Sequence, residues 1–435
     1  MILKGYKVNT VKVFVCHFLR KSIVSLKKLA MNRNKKQRFI RVILIAIVIV
    51  FDTYCTYNFS LCADFKSEPS HIEDIIKNID HHNTLQPILN EDRFGPLHND
   101  SPVIVVQVHK RIEHLRYLID SLARAKHISN TLVIFSHDYY DESINELVRH
   151  INFCKVLQIF YPFSIQTHEH KFPGDDPNDC PRTINLQEAI QRKCNNARYP
   201  DTYGHYREAK FTQLKHHWWW KMNRVFDQLN VTRHHTGLVL FIEEDNYVAE
   251  DFLHVLMLME KKTDEICPRC NILALARYEP FSETYFNLEH LDEVGIALWN
   301  HFWGFAFKRS TWLSIAKYSL IFCTYDDYNY DYSIRYLYQT FLQTEIYTMV
   351  TNQARVFHTG ICGLHHEHKE CNPEQIVVKL RKALDQKSHQ LYPKNLTVLF
   401  NYDNLLNQDE PLTVNGGWAD VRDHGLCLDF NKRND

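Results

Sequence analysis

Leu238-Val239-Leu240-Phe241-Ile242-Glu243-Glu244-Asp245-Asn246-Tyr247-Val248 is the stretch that decides how this chain folds. An apolar run rich in β-branched and aromatic residues stops at three adjacent carboxylates, and a helix-like segment follows from about Ala249. That is the pattern of a buried parallel strand whose C-terminal end presents acids to a crevice. Open α/β sheets bind their ligands at such strand ends. Three neighbouring acids repel one another unless a cation shares them, and hard divalent ions take carboxylate oxygens. The plainer alternative is that Glu243, Glu244 and Asp245 only favour the positive N-terminus of the next helix.

Upstream, Pro102–His109, Thr131–Phe135 and Val156–Tyr161 read as strands, separated by helical patterns at Arg111–Lys126 and Glu142–His150. Strand-helix-strand-helix-strand at this spacing predicts a Rossmann-like nucleotide-binding half. It lacks the G-x-G-x-x-G fingerprint, which argues against NAD or FAD. Downstream, the spacing predicts a long helix over Tyr206–Leu229 and strands at Ile272–Ala276, Trp303–Phe307 and Arg355–His358. It also predicts an aromatic-rich helix over Asp327–Phe341 and an irregular tail over Asn415–Cys427. Between the halves lies a long polar loop, Pro162–Gly204.

The 435 residues balance 51 Lys+Arg against 51 Asp+Glu, so composition gives no case for a nucleic-acid partner. Residues 1–51 nevertheless carry many Lys and Arg and no acid, and Val42–Phe51 is wholly apolar. A basic flank before one apolar segment sets N-in, C-out topology. Phe39–Phe51 is short against the roughly 20 residues of a full span, so a cleaved signal peptide competes with an anchor extended by Tyr54, Tyr57 and Phe59. Met31 is an alternative start. Twelve cysteines and the sequons at Asn58, Asn230 and Asn395 agree with an oxidising lumen.

Several motifs occur in order: Gln107-Val108-His109-Lys110-Arg111, Phe135-Ser136-His137-Asp138, Gly204–Lys210, Lys215–Trp220, Glu243-Glu244-Asp245 and Cys323–Asp331. Together they resemble the N-acetylglucosaminyltransferase II family, Golgi alpha-1,6-mannosyl-glycoprotein 2-beta-N-acetylglucosaminyltransferases, from about residue 75 to the C-terminus. The resemblance implies a GT-A fold, UDP-GlcNAc as donor, Mn2+ as cofactor and an N-glycan acceptor. Its terminal α1,6-linked mannose would receive GlcNAc in β1,2 linkage with inversion. The implied organisation is a basic cytoplasmic tail (1–38), a single-pass type II signal-anchor (39–59), a lumenal stem (60–76) and a catalytic domain (77–435).

The same resemblance implies Asp245 and His358 as metal ligands, and a borderline metal accepts imidazole as well as oxygen. It implies Gln107, Val108, His109, Lys110, Arg111, Asp138, Gln213, Leu214, Lys215, His216 and His217 as donor-binding residues. Asp331 matches the base that takes the acceptor proton. Its reading on residues is that Asp326 and Asp327 suit the start of a helix capped by Thr324, whereas Asp331 lies further in among tyrosines, partly buried. The implied disulfides are Cys180–Cys194, Cys267–Cys270, Cys323–Cys427 and Cys362–Cys371. One further family pair is replaced here by aromatic residues near Tyr318 and Phe341, and Cys154 reads as a buried free thiol. A zinc site among His358, Cys362, His365, His366, His368 and Cys371 is the rival metal reading, although no regular Cys/His spacing supports it. Two further readings stand beside the transferase: a lumenal glycan-binding protein that has lost turnover, and a GlcNAc transferase acting on another mannose arm.

Overall fold

Val103–Val108 is buried along almost its whole length because both of its faces are covered. Val103 and Val105 pack with Trp218, Trp219 and Trp220 on one side. Ile104, Val106 and Val108 pack with Leu115, Leu118 and Leu122 on the other. This alternation of core faces explains why the strand has no polar face. The structure is a computed structural model and describes residues 72–277, 286, 288–298, 302–342, 347–360, 373–401 and 414–431.

The strands are β1 (Ile88–Leu89), β2 (Val103–Val108), β3 (Leu132–His137), β4 (Lys155–Phe160), β5 (Val239–Glu243) and β6 (Asn246–Val248). They continue with β7 (Cys270–Arg277), β8 (Glu293–Ala297), β9 (Phe302–Phe307), β10 (Tyr347–Thr351), β11 (Val356–His358) and β12 (Thr397–Asn401). Ten of them form one mixed sheet in the order β1-β4-β3-β2-β5-β9-β7-β10-β8-β12. β4, β3, β2 and β5 are mutually parallel, so their C-terminal ends share one rim. β9 runs antiparallel between β5 and β7. A separate ribbon pairs β11 with β6 and sets His358 opposite Asn246, which returns the chain to the acidic turn.

Several boundaries differ from the sequence reading. The helix after β6 begins at Phe252, well past the acids, so Glu243, Glu244 and Asp245 do not serve its N-terminus. The long helix runs Ala209–Asn223 and passes into a π-helical turn, Arg224–Gln228. Tyr206 and Arg207 stay outside it because Arg207 is drawn into an ion pair with Asp423, Nε to Oδ2 at 2.8 Å. The tyrosine-rich helix starts at Tyr330, not Asp327: the Asn329 side chain caps it by accepting from the Asp331 N–H at 2.9 Å. Thr324 instead ends the preceding helix, Ser319–Thr324. The tail is not irregular throughout, since Asp420 caps a helix over Val421–Asp429. A helix over Ile72–Leu85 buries Ile75 and Ile79 against Phe160.

Disulfides join Cys180 to Cys194, Cys267 to Cys270 and Cys323 to Cys427. Cys154 is a buried free thiol whose pKa burial pushes up to about 12. Tyr318 and Phe341 stack at 5.1 Å. Cys362–Cys371, the rival zinc residues after Gly360, Asn58 and the whole of 1–71, including the anchor, lie outside the described residues. Among the described residues no helix is long and apolar enough to cross a membrane.

Candidate active site

β5 ends at Glu243, and Glu244 and Asp245 form the turn into β6, so the three acids diverge. Asp245 meets His358 across the ribbon, Oδ2 to Nε2 at 3.2 Å. The Arg111 guanidinium bonds the same oxygen. Thr359 fixes the turn by donating its N–H and its hydroxyl to the Asp245 carbonyl at 2.8 and 2.7 Å. Burial would raise the Asp245 carboxyl, but the His358 hydrogen bond and the charges of His358 and Arg111 outweigh it and hold it down. His358 is held above the usual histidine range by Asp245 despite its own burial, and its ring stacks on Trp303 at 4.8 Å.

Three features of this pair fit a cation. The second carboxylate oxygen of Asp245, Oδ1, is buried without a hydrogen-bond partner, which costs free energy unless a donor or a cation meets it. An oxygen beside an imidazole nitrogen is a donor set that a borderline divalent metal takes. A Cβ at Gly360 would lie 2.3 Å from Asp245 Oδ2 and 3.0 Å from His358 Nε2, so only glycine leaves that space open. Among the described residues no three His, Cys, Asp or Glu side chains are placed to hold one metal ion together. A cation held here would therefore keep positions for ligands from outside the chain.

Glu244 faces the β2 loop. Its Oε2 accepts the His109 N–H at 2.8 Å and its Oε1 the Arg111 N–H at 3.3 Å. Burial pushes its carboxyl up to about 7. Asp138 follows β3, with its N–H on the Val108 carbonyl. Its Oδ1 meets His109 Nδ1 at 2.6 Å and its Oδ2 accepts from Gln213 Nε2 at 2.9 Å. Burial would raise the Asp138 carboxyl, yet the charge and hydrogen bond of His109 hold it down at about 2. Both of its oxygens are thus committed to the protein, and Asp138 orients His109, whose side chain is half exposed. Lys110 lies over the Tyr139 ring at 3.9 Å.

The long helix carries its candidates inward. His217 is buried, bonded to Ser136 Oγ at 2.8 Å, and burial lowers its pKa to about 3. Lys215 donates to the carbonyls of Tyr325 and Asp327 at 3.0 and 2.9 Å. His216 bonds Asp423 at 2.8 Å. These two hold the tail and the Tyr325–Asp327 turn in place, while Leu214 is half-buried between them and Gln213. Trp218 stacks on Tyr330 at 4.8 Å, and all three tryptophans are core.

Asp326 accepts the N–H groups of Thr202 and Trp418, and buried Asp327 accepts those of Asn329 and Asn415. Both are thereby structural. Asp331 sits in the first turn of the next helix, half-buried, and its charge reaches Glu243 and Lys221. Tyr330 donates its hydroxyl to Glu243 at 3.3 Å. One rim therefore gathers Asp245, His358, Arg111, Glu243 and Asp331.

The N-acetylglucosaminyltransferase II (MGAT2) family model matches residues 76–427. The chain belongs to that family. Alpha-1,6-mannosyl-glycoprotein 2-beta-N-acetylglucosaminyltransferase of Homo sapiens is 41% identical over 350 residues, covering 80% of this chain and 77% of the relative. The protein of that name in Arabidopsis thaliana is 34% identical over 344 residues, covering 78% and 77%. The glycosyltransferase GlyE of Streptococcus pneumoniae TIGR4 overlaps 69% of this chain and 67% of its own at a TM-score of 0.32 and 9% identity, too loosely to argue from. Membership in the N-acetylglucosaminyltransferase II family makes the chain a glycosyltransferase, and transfer of GlcNAc to the 2-position of an α1,6-linked mannose is the activity membership carries.

Within this family member, sequence reading passed over Lys221, Gly360 and Trp303. Lys221 is buried at the end of the long helix, with Nζ donating to Gln107 Oε1 at 2.6 Å. Burial lowers its pKa, against the pull of Glu243 and Asp331. Gln107 and Lys221 are far apart in sequence, so nothing local signals their bond. Gly360, two residues after His358, was the one legible clue.

Proposed function

We propose that this chain transfers GlcNAc with inversion from UDP-GlcNAc to O2 of the α1,6-linked mannose of N-glycans, on a GT-A fold in the Golgi lumen. The observation that carries the reading is the convergence of Asp245, His358 and Arg111 on one side of the rim with Asp331 on the other. Asp245 and His358 would hold Mn2+, which when bound supplies Lewis-acid stabilisation to the departing diphosphate. Arg111 adds a fixed positive charge beside the same phosphates, and Glu244 sets the β2 loop that carries Arg111 and His109.

Asp331 takes the proton from the mannose O2 as that oxygen bonds to C1 of GlcNAc and the bond from C1 to the UDP oxygen breaks. A single in-line displacement of this kind inverts the anomeric centre. The Asn329 cap fixes the first turn, so the base approaches in one orientation. Gln107, steered by Lys221, and the Asp138–His109 pair line the donor side. Three disulfides support an oxidising compartment. The N-terminal basic and apolar segments supply the type II anchor.

Purified chain incubated with UDP-GlcNAc, Mn2+ and N-glycans ending in either α1,6- or α1,3-mannose tests this directly. UDP release and a β1,2-linked product on the α1,6 arm are expected. Binding of glycan without UDP release would establish the inactive lectin instead, and turnover confined to the α1,3 arm would reassign the acceptor.

A further inference from the structure

An open cavity of about 740 Å³ lies where the helix Glu374–Gln386 ends and β8 begins, and the mechanism above makes no use of it. Its lining is mostly polar, with Leu291 and Pro393 as the apolar residues. Its rim is charged, with Glu289, Asp292, Lys387 and Lys394. Asn395 stands in its wall and is exposed. That asparagine opens the sequon Asn395-Leu396-Thr397. The sequon runs straight into β12, the last strand of the sheet among the described residues, which pairs with β8. Val398 and Leu399 on β12 are 43% and 46% exposed. An edge strand with exposed apolar residues is a template for pairing with another chain, and proteins cover such edges.

We infer that Asn395 carries an N-linked glycan whose first sugars occupy this cavity and screen the β12 edge. The inference rests on the lumenal reading, because the co-reactant is the lipid pyrophosphate-linked oligosaccharide of the secretory pathway. The Asn395 Nδ2 forms the bond to C1 of the first sugar, the lipid pyrophosphate leaves with the bonding electrons, and one amide proton is lost. The cavity matches the attached sugar chemically. Leu291 and Pro393 offer apolar contact to the C–H face of a pyranose, and the polar and charged remainder of the lining takes hydroxyl and acetamide groups. Its volume lies within the roughly 300–1,000 Å³ of small-ligand sites.

The full chain is expressed in eukaryotic cells and purified from their membranes in detergent, and its peptides are treated with peptide-N-glycosidase in heavy-oxygen water. Heavy-labelled aspartate at position 395 is expected in most molecules, retained in Thr397→Ser and lost in Thr397→Ala. Sedimentation should show Asn395→Gln associating with rising concentration, and Asn395→Gln/Val398→Lys returning to the wild-type state. Unmodified Asn395 in chains whose Cys323–Cys427 bond has formed overturns the inference alone. Unmodified Asn395 in chains with reduced cysteines overturns the lumenal reading with it. A glycan at Asn395 whose loss leaves sedimentation unchanged overturns the screening role.

Discussion

Gly360→Ala puts the smallest possible change at the metal pair. The added Cβ would stand 2.3 Å from Asp245 Oδ2, 2.9 Å from Arg111 Nη1 and 3.0 Å from His358 Nε2. Ordinary contact is about 3.5 Å, so the carboxylate must retreat by roughly 1 Å. It has little freedom to do so, because Thr359 holds its backbone carbonyl through two hydrogen bonds. Overpacking of this kind costs about 1–3 kcal/mol. The Gly360 φ lies outside the left-handed region, so alanine brings no backbone strain. It also makes the unfolded chain less mobile, worth about 0.4–1 kcal/mol in the other direction. Overall stability should therefore fall by no more than about 2.5 kcal/mol while the pair is driven apart. The assay is initial rate against Mn2+ concentration, run beside a thermal melt. The Mn2+ needed for half-maximal rate should rise roughly 5–150-fold, the equivalent of that energy, with the melt lowered by a few degrees at most and still cooperative. Wild-type Mn2+ dependence in a folded Gly360→Ala protein would refute the placement of the metal.

Three other outcomes follow from the geometry. Asp331→Asn should abolish transfer yet leave UDP-GlcNAc binding by calorimetry near wild type; substantial turnover would remove Asp331 from its role as base. Glu244→Gln leaves one good acceptor where two backbone amides now bond, a loss of about 1–3 kcal/mol. It should raise the donor KM more than it lowers kcat, and the reverse split would show that Glu244 acts in the chemical step. His137 stacks on Phe160 at 4.6 Å, and burial lowers its pKa to about 3. An unfolded histidine binds its proton near 6.5 and the folded one only near 3, so this stability is complete above pH 6.5. It is lost as pH falls toward 3, by up to about 1.4 kcal/mol per pH unit. His137→Phe should flatten the fall of Tm over that range, only in part because His217 behaves alike; an unchanged slope would contradict it.

The strands around the site were legible because each is a continuous apolar run, and the acid triplet marked where the central one ends. What misled was local chemistry with two readings. Thr324 looked like a cap for the tyrosine-rich helix, yet Asn329 is the cap, and Asp326 and Asp327 are consumed by amides of Thr202, Trp418 and Asn415. The start of the long helix was set by Arg207 reaching Asp423, a partner 216 residues away. The tail helix was hidden because its Asp420 cap precedes a segment with a glycine at 425. Tyr318 and Phe341, read as aromatics in place of a cysteine pair, do meet in the fold. Lys221 and Trp303 took their places through contacts that no spacing encodes.

Manganese paramagnetic resonance tests the central claim most directly, since the free-ion signal disappears when Mn2+ binds. With UDP present, the wild-type chain should bind about one Mn2+, and Asp245→Asn and His358→Ala should each restore the free-ion signal while remaining folded. Undiminished Mn2+ binding by both variants would contradict the account.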